Sequence, residues 1–139
     1  MEGVASKMKK GLKIAGIVLG IFIIAGFCLY AGMTNSAKKE LNAMVYEKAD
    51  LALVQDGTYD GEADAGLVYV KVGVTVKAHA LQDIKILEHR NGMGSKAESI
   101  TKAMVDKNSY KVDAVSGATL SSEAIKSAVS KALKKGLLP

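Results

Sequence analysis

An uninterrupted apolar stretch near the N-terminus constrains this chain more than any other feature. Residues 14–33 contain no charged side chain and consist mostly of Ile, Leu, Val, Ala, Gly and Phe. About 20 such residues form a helix long enough to cross the hydrocarbon core of a bilayer. The sequence therefore predicts a single transmembrane helix over residues 14–33.

The charges that flank this stretch predict its orientation. Four lysines crowd its upstream side, whereas the lysines on its downstream side are soon followed by acidic residues. The upstream lysines are Lys7, Lys9, Lys10 and Lys13, and the downstream charges are Lys38, Lys39, Glu40, Glu47 and Asp50. An excess of positive charge favours the cytoplasmic side and attracts anionic lipids. We expect residues 1–13 to be a basic cytoplasmic N-terminus of a single-pass cell-membrane protein, with the C-terminal domain outside the cytoplasm.

Two other interpretations of the apolar stretch agree less well with the sequence. A cleaved signal peptide has a shorter apolar core and a small-x-small cleavage site, and no clear Ala-x-Ala follows this stretch. A lipoprotein signal places small residues before the acylated cysteine, but here Phe27 precedes Cys28. We therefore predict an uncleaved anchor. Cys28 is the only cysteine, so no disulfide can form within the chain.

Beyond the anchor, the periodicity of apolar residues predicts a linker and one small domain. Residues 34–50 have a rough helical period amid charges and are interpreted as a helical juxtamembrane linker. Turn residues surround a short first strand after Asp56, alternating valines over residues 68–76 predict a long second strand, and residues 81–88 predict a third. The sequence Ser-Lys-Ala-Glu at residues 95–98 is a capping-box pattern that opens a helix to about residue 107.

A second helix is predicted over residues 121–135, where apolar residues recur at helical spacing. Strands that precede helices favour an α+β domain, residues 51–139, with a small antiparallel sheet and two main helices. The sequence that leads into the second helix is Asp113-Ala114-Val115-Ser116-Gly117-Ala118-Thr119-Leu120-Ser121-Ser122. One interpretation is an ordinary helix start with Ser121 or Ser122 as N-cap. The other is a phosphate site at Thr119, just before a helix N-terminus.

Composition and motifs argue against several other classes of function. The net charge of +5 owes much to the four N-terminal lysines, and the soluble part contains neither Trp nor Phe, so we expect no nucleic-acid partner. His79 and His89 are the only histidines and lack metal-ligand spacing, so no metal site is expected. His79 is predicted to be a solvent-facing turn residue. Ser116 lacks the Gly-x-Ser-x-Gly context of a nucleophile elbow, and no P-loop occurs.

The decapeptide at residues 113–122 resembles the flavinylation motif of the FMN-binding domain family. That family includes the C subunit of the sodium-translocating NADH:quinone oxidoreductase and the G subunit of the Rnf complex. In the family an Asp is followed within a few residues by Ser-Gly-Ala-Thr, and FMN is joined to the Thr through a phosphoester. The order of strands, loop and helices is similar over residues 53–133 as well. The resemblance implies covalent FMN on Thr119.

The resemblance also implies further cofactor-binding residues around Thr119 and in the loop after the third strand. They are Asp113, Ser116, Gly117, Ala118, Leu120, Ser121, Ser122, His89, Gly92, Met93 and Gly94. Asp113 either belongs to the signature read by a magnesium-dependent flavin transferase that uses FAD, or makes a local turn bond. His89 either contacts the flavin or has a plain surface role. Met93 either packs or lies against the isoalloxazine ring.

The resemblance implies an electron-transfer role. The expected protein is a membrane-anchored, extracytoplasmic flavoprotein, more a carrier than a stand-alone enzyme, with a flavin transferase and membrane or extracytoplasmic redox proteins as partners. The alternatives are a binding or accessory module without flavin, and an Rnf-like subunit that functions only inside a complex. The loop Asn91-Gly92-Met93-Gly94 stands where the large respiratory subunits have Thr-Pro-Gly-Leu-Gly. In this loop the chain is more similar to the small stand-alone members of the family. Ala78-His79-Ala80 stands where related sequences often have a Gly.

Overall fold

The structure is a computed structural model that describes residues 2–90 and 94–137 of the 139-residue chain. It divides into two compact units, Met1–Lys38 and Lys39–Pro139. Most of the long N-terminal helix makes up the first unit. The described strands and the remaining helices belong to the second unit, which we call the soluble domain.

The N-terminal helix, α1, runs without interruption over Glu2–Ala43. Its segment Lys9–Ala43 is long and apolar enough to span a membrane by length and composition, because an 18-residue stretch within it has a mean hydropathy of 2.5. Its large apolar side chains, Phe22 and Phe27 among them, are exposed. By length and composition, α1 is therefore a candidate for a single membrane pass. The helical linker predicted over residues 34–50 is wrong in its second half, because α1 ends at Ala43 and residues 44–50 are not helical.

Three antiparallel strands form one sheet in the order β1 (Gly57–Asp64), β2 (Tyr69–Lys77) and β3 (Ala80–Arg90). The predicted alternation along β2 is confirmed, because Val70, Val72, Val74 and Val76 are all buried. Successive side chains of a strand point to opposite faces, so these valines form one apolar surface on the central strand. With helices packed on that sheet, the predicted α+β class is confirmed.

The turn between β2 and β3 has two residues and contains no glycine. Lys77 pairs with Ala80, and Ala78 and His79 between them have φ values of 52° and 60°. Two-residue hairpin turns with positive φ at both positions match the twist of the strands, but they strain residues other than Gly, Asn and Asp. The Ala78 N–H donates to Asp56 Oδ1 at 2.7 Å, which helps to hold this turn. His79 is exposed there, as predicted.

Helix α3 (Thr119–Lys135) packs along β1 and β2 with its apolar stripe buried. The backbones come so close that a Cβ on Gly61 of β1 would lie 2.0 Å from the carbonyl oxygen of Ala128. Glycine is the one residue that allows this approach without a shift. Beyond Asp56, the other described helices are a 3₁₀-helix, Ser95–Ser99, and α2, Ile100–Asp106. Their residues Ala97, Ile100 and Met104 belong to the same hydrophobic core.

Residues 44–50, which we call the connecting segment, lie extended against α3. Ser127 Oγ donates to the carbonyl oxygen of Val45 at 2.5 Å, and the Glu47 N–H donates to Ser130 Oγ at 3.1 Å. The hydroxyl of Tyr110 donates to the Glu47 carbonyl oxygen at 3.1 Å. These bonds make the connecting segment part of the packed soluble domain. The predicted domain boundary at residue 51 stays a prediction.

Candidate functional site

Helix α3 begins at Thr119, two residues earlier than the sequence analysis predicts. Its C-terminal end lies near the start of β1, since a Cβ at Gly136 would meet the ring of Tyr59 and the side chain of Val54. Its N-terminal end faces the 3₁₀-helix Ser95–Ser99, which follows β3. Thr119 therefore lies at the end of the domain where β3 finishes.

The N-terminus of α3 carries no side-chain cap. Its N-cap residue is Ala118, and the first helical hydrogen bond runs from the Ser122 N–H to the Ala118 carbonyl oxygen at 2.9 Å. The N–H groups of Thr119, Leu120 and Ser121 have no acceptor among the described residues. Unpaired N–H groups and the positive end of the helix dipole together favour a bound anion.

Gly117 leaves the loop before this helix open on one side, because it has no side chain. Its φ of +78° lies in the left-handed region, where a residue with a side chain is strained. Leaving out chain neighbours, the only described heavy atom within 4 Å of a Cβ at this position is Lys96 Nζ, at 3.9 Å. Among the described residues, the Lys96 ammonium group is therefore the nearest neighbour of this open space outside the adjoining chain.

The hydroxyl groups of the loop are accessible. Thr119 and Ser116 are exposed, and neither hydroxyl forms a hydrogen bond within the described part of the chain. Asp113 is also exposed, and the local turn bond considered for it is not formed by any described residue. Accessible, unengaged side chains at a loop are what a modifying enzyme requires of its substrate.

The two serines that follow Thr119 are buried, and neither is the N-cap. Ser122 is completely buried, donates through Oγ to the Ala118 carbonyl oxygen at 2.9 Å and accepts from the Val115 N–H at 2.9 Å. Ser121 is 3% exposed. The prediction of Ser121 or Ser122 as helix cap is therefore wrong, because the helix starts before both of them. Their assignment as cofactor-binding residues stays a prediction, as does that of half-buried Leu120.

The surface role considered for His89 is wrong, because its side chain is only 2% exposed. Its Nδ1 donates to Glu98 Oε1 at 2.9 Å. The capping box predicted over residues 95–98 is also wrong. Gly94 is the N-cap of the 3₁₀-helix and makes no side-chain bond, and Glu98 bonds His89 instead of the backbone at the helix start. Gly94 is half-buried, while Gly92 and Met93 lie outside the described residues.

A stacked pair of side chains occupies the outer face of the sheet at this end. The Arg90 guanidinium lies 4.7 Å from the centroid of the Tyr69 ring, and the two residues are paired across β2 and β3. The Tyr69 hydroxyl donates to Glu62 Oε2 at 3.0 Å, and this hydrogen bond raises the pKa of Tyr69. Arg90 Nε also lies 3.3 Å from Glu88 Oε1, so carboxylates balance the positive charge of this pair.

One cavity of the domain lies away from Thr119. A cleft of about 790 Å³ is lined by His79, Tyr110 and Leu137, among other residues. Its lining residue Leu137 follows the C-terminal end of α3, a 17-residue helix that is about 25 Å long and has Thr119 at its other end. Within residues 2–90 and 94–137, no group of three or more His, Cys, Asp or Glu side chains is placed to hold a metal ion.

Sequence reasoning missed Lys96 and assigned Glu98 to the wrong role. Both are single charged residues in a short segment, and no periodic pattern distinguishes them from solvated surface charges. Their positions near Gly117 and His89 arise because the 3₁₀-helix packs against the start of α3 through fully buried Ala97. Only the folded chain brings these segments together.

Comparison with known proteins assigns this site to a family. The FMN-binding domain matches residues 65–134, which is 70 of the 139 residues and contains β2, β3, the loop after it and all of residues 113–122. No curated protein matches the chain. The unpaired N–H groups and Lys96 fit the phosphate of FMN, because they are donors and a cation aimed at one open loop. The chain belongs to the FMN-binding domain family, which supports FMN as its cofactor.

Proposed function

We propose that this protein is a membrane-anchored, extracytoplasmic electron carrier that holds FMN through a phosphoester to Thr119. The observation that carries the proposal is the exposed Thr119 hydroxyl at an uncapped helix N-terminus, inside a matched FMN-binding domain. A threonine in that position offers a nucleophilic oxygen and places the attached phosphate beside unpaired N–H groups. FMN supplies the chemistry of accepting and donating electrons.

The residues around Thr119 have distinct roles in this proposal. The N–H groups of Leu120 and Ser121 are donors for phosphate oxygens, and Gly117 leaves room for them because it has no side chain. Asp113 is exposed and unengaged within the described residues, so we assign it to recognition by the transferase. Buried Ser122 holds the loop against the helix.

Attachment needs no redox partner. With FAD as donor, a bond forms between Thr119 Oγ and the phosphorus of the FMN half, while the pyrophosphate bond of FAD breaks. AMP leaves, and the hydroxyl proton is released to solvent. The protein gains one FMN less one water, so the atoms balance and no electrons are exchanged.

Covalent attachment suits a domain outside the cytoplasm. A flavin that dissociates there is lost by dilution, whereas a tether keeps its local concentration high. The lysines before the apolar stretch support a cytoplasmic N-terminus, and the length of α1 supports a single pass.

The test is the intact mass of the denatured full-length protein made together with the flavin transferase. We expect wild type to gain one FMN less one water and Thr119→Ala to gain nothing. Thr101→Ala is the matched control, because Thr101 lies in α2 and bonds only the Glu98 carbonyl oxygen within the described chain. Unmodified wild type, in a cell where a known substrate is labelled, would favour the flavin-free accessory module.

Purification from native membranes in mild detergent separates the remaining alternative. A carrier that works alone elutes without stoichiometric partners and keeps its yellow colour after denaturation. An Rnf-like subunit co-purifies with the other subunits of its complex. The covalent chemistry is the same in both cases, so the mass measurement does not depend on which of them holds.

A further inference from the structure

We propose that Lys96 is the cationic partner of the FMN phosphate at Thr119, and that it speeds attachment and orients the phosphodiester. This inference rests on the proposed function, because it requires a phosphoester at Thr119. It assigns a binding role to a residue that lies 23 positions away in the sequence and outside residues 113–122.

The position of Lys96 is the first argument. Its ammonium nitrogen lies 3.9 Å from the place of a Cβ on Gly117, over the open side of the loop that leads into Thr119. No other described heavy atom beyond the chain neighbours comes within 4 Å of that place. A group attached to Thr119 and drawn toward the helix N-terminus therefore approaches this ammonium group.

The backbone that carries Lys96 is well held, which is the second argument. Ala97 next to it is fully buried and Ala118 is 6% exposed, and both belong to the same core cluster. The carbonyl oxygen of Lys96 accepts from Ser99 Oγ at 2.9 Å. The flexible side chain therefore starts from a fixed point beside the loop, so its ammonium stays within reach.

Charge is the third argument. Lys96 forms no ion pair within residues 2–90 and 94–137, so no described carboxylate neutralises its charge. The nearby carboxylate of Glu98 is bonded to His89. A phosphodiester keeps one negative charge over the whole physiological pH range, so it supplies the missing counter-charge for Lys96.

The size of the effect follows from exposure. Lys96 is exposed, so solvent and salt screen its charge, and exposed pairs of opposite charge contribute little free energy. We expect Lys96→Gln to lower the initial rate of FMN attachment by about two- to fivefold at low ionic strength. The difference from wild type should shrink in about 0.5 M salt, where the Debye length falls to a few Å. Lys96→Arg should retain most of the rate.

The experiment uses the full chain in mild detergent with transferase, Mg²⁺ and FAD. Attachment is followed by intact mass for wild type, Lys96→Gln, Lys96→Arg and the control Lys107→Gln. Lys107 is exposed at the end of α2, so its substitution removes the same charge away from the site. The second measurement is the ³¹P chemical shift of each loaded protein, which reports the surroundings of the phosphorus after the transferase has been removed.

The outcomes separate the two proposals. A slower rate together with a changed ³¹P shift in Lys96→Gln alone supports the inference. A slower rate with an unchanged shift overturns it, because Lys96 then serves recognition by the transferase. Equal attachment rates and equal ³¹P shifts in wild type and Lys96→Gln also overturn the inference. Labelling of wild type would in that case still support the proposed phosphoester at Thr119. Wild type without any FMN overturns the proposed function and this inference with it.

Discussion

Adjacent serines at the start of α3 differ sharply in what their hydroxyl groups do. Ser122 Oγ joins the Ala118 carbonyl oxygen and the Val115 N–H, so it ties the first turn of the helix to the loop before it. Ser121 is equally buried, but its hydroxyl has no hydrogen bond to a described residue. The sequence cannot tell these serines apart, because the rotation of the helix decides which of them faces the loop.

We expect Ser122→Ala to lower the free energy of unfolding by about 1–3 kcal/mol, since it leaves the Val115 N–H without its partner. Ser121→Ala is the matched control and should change it by less than about 0.5 kcal/mol. The measurement is urea unfolding of the FMN-free, full-length protein in mild detergent, followed by circular dichroism. Equal losses in both variants would contradict the role given to Ser122.

At the level of elements, the connecting segment and α3 support each other. Backbone groups of Val45 and Glu47 bond Ser127 and Ser130 on one face of the helix, and Lys134 Nζ lies 2.6 Å from Glu47 Oε2. The Tyr46 hydroxyl donates to Glu123 Oε2. Partial burial, followed by this bond and the charge of Glu123, raises the pKa of Tyr46 well above its usual value of 10.0.

This pKa shift predicts a pH dependence of stability. The folded state favours the neutral tyrosine, so the stabilisation is fully present below about pH 10 and is lost as the pH rises beyond it. We expect Tyr46→Phe to cost about 1 kcal/mol or less at neutral pH, because Tyr46 is 40% exposed. The gap between wild type and Tyr46→Phe should close in unfolding curves above pH 10.

The control for this prediction is Tyr69→Phe. Tyr69 also bonds a carboxylate, but the hydrogen bond to Glu62 and not burial is the first cause of its raised pKa, so its substitution should matter less than that of Tyr46. A stability gap for Tyr46→Phe that stays constant between pH 8 and about pH 11 would show that the hydrogen bond to Glu123 does not couple to folding.

Much of the element pattern is predictable from sequence, and the errors have a common cause. The alternating valines of β2 and the apolar stripe of α3 are strong signals, because burial of one face repeats along the element. The capping box at residues 95–98 and the serine caps of α3 fail, because local hydrogen-bonding patterns compete with tertiary contacts. Glu98 bonds His89, and Ser122 turns inward.

For the whole molecule, the proposed arrangement relative to the membrane is supported by α1 and its flanking charges. The segment Lys9–Ala43 is a candidate span, and lysines dominate the residues before the apolar stretch. Positive flanks stay in the cytoplasm, which would leave the FMN-binding domain on the other side.

We expect cysteine labelling of intact cells to report this topology. In a Cys28→Ser background, Lys107→Cys should react with a membrane-impermeant maleimide before the cells are broken, since Lys107 is exposed in the soluble domain. Lys7→Cys, in the basic N-terminus, should react only after the membrane has been disrupted. The reverse order of reactivity would contradict an extracytoplasmic FMN-binding domain.

The sequence by itself determined the features that repeat along the chain or stand in a short contiguous motif. These are the apolar N-terminal stretch, the alternation of β2, the α+β order of elements and residues 113–122 with Thr119. Tertiary structure alone decided the contacts between segments that are distant in the sequence. Lys96 lies by Gly117, Ser122 turns inward and His89 is buried against Glu98 because β3, the 3₁₀-helix and α3 pack on one core. Contacts between distant segments depend on that packing, and no local pattern encodes them.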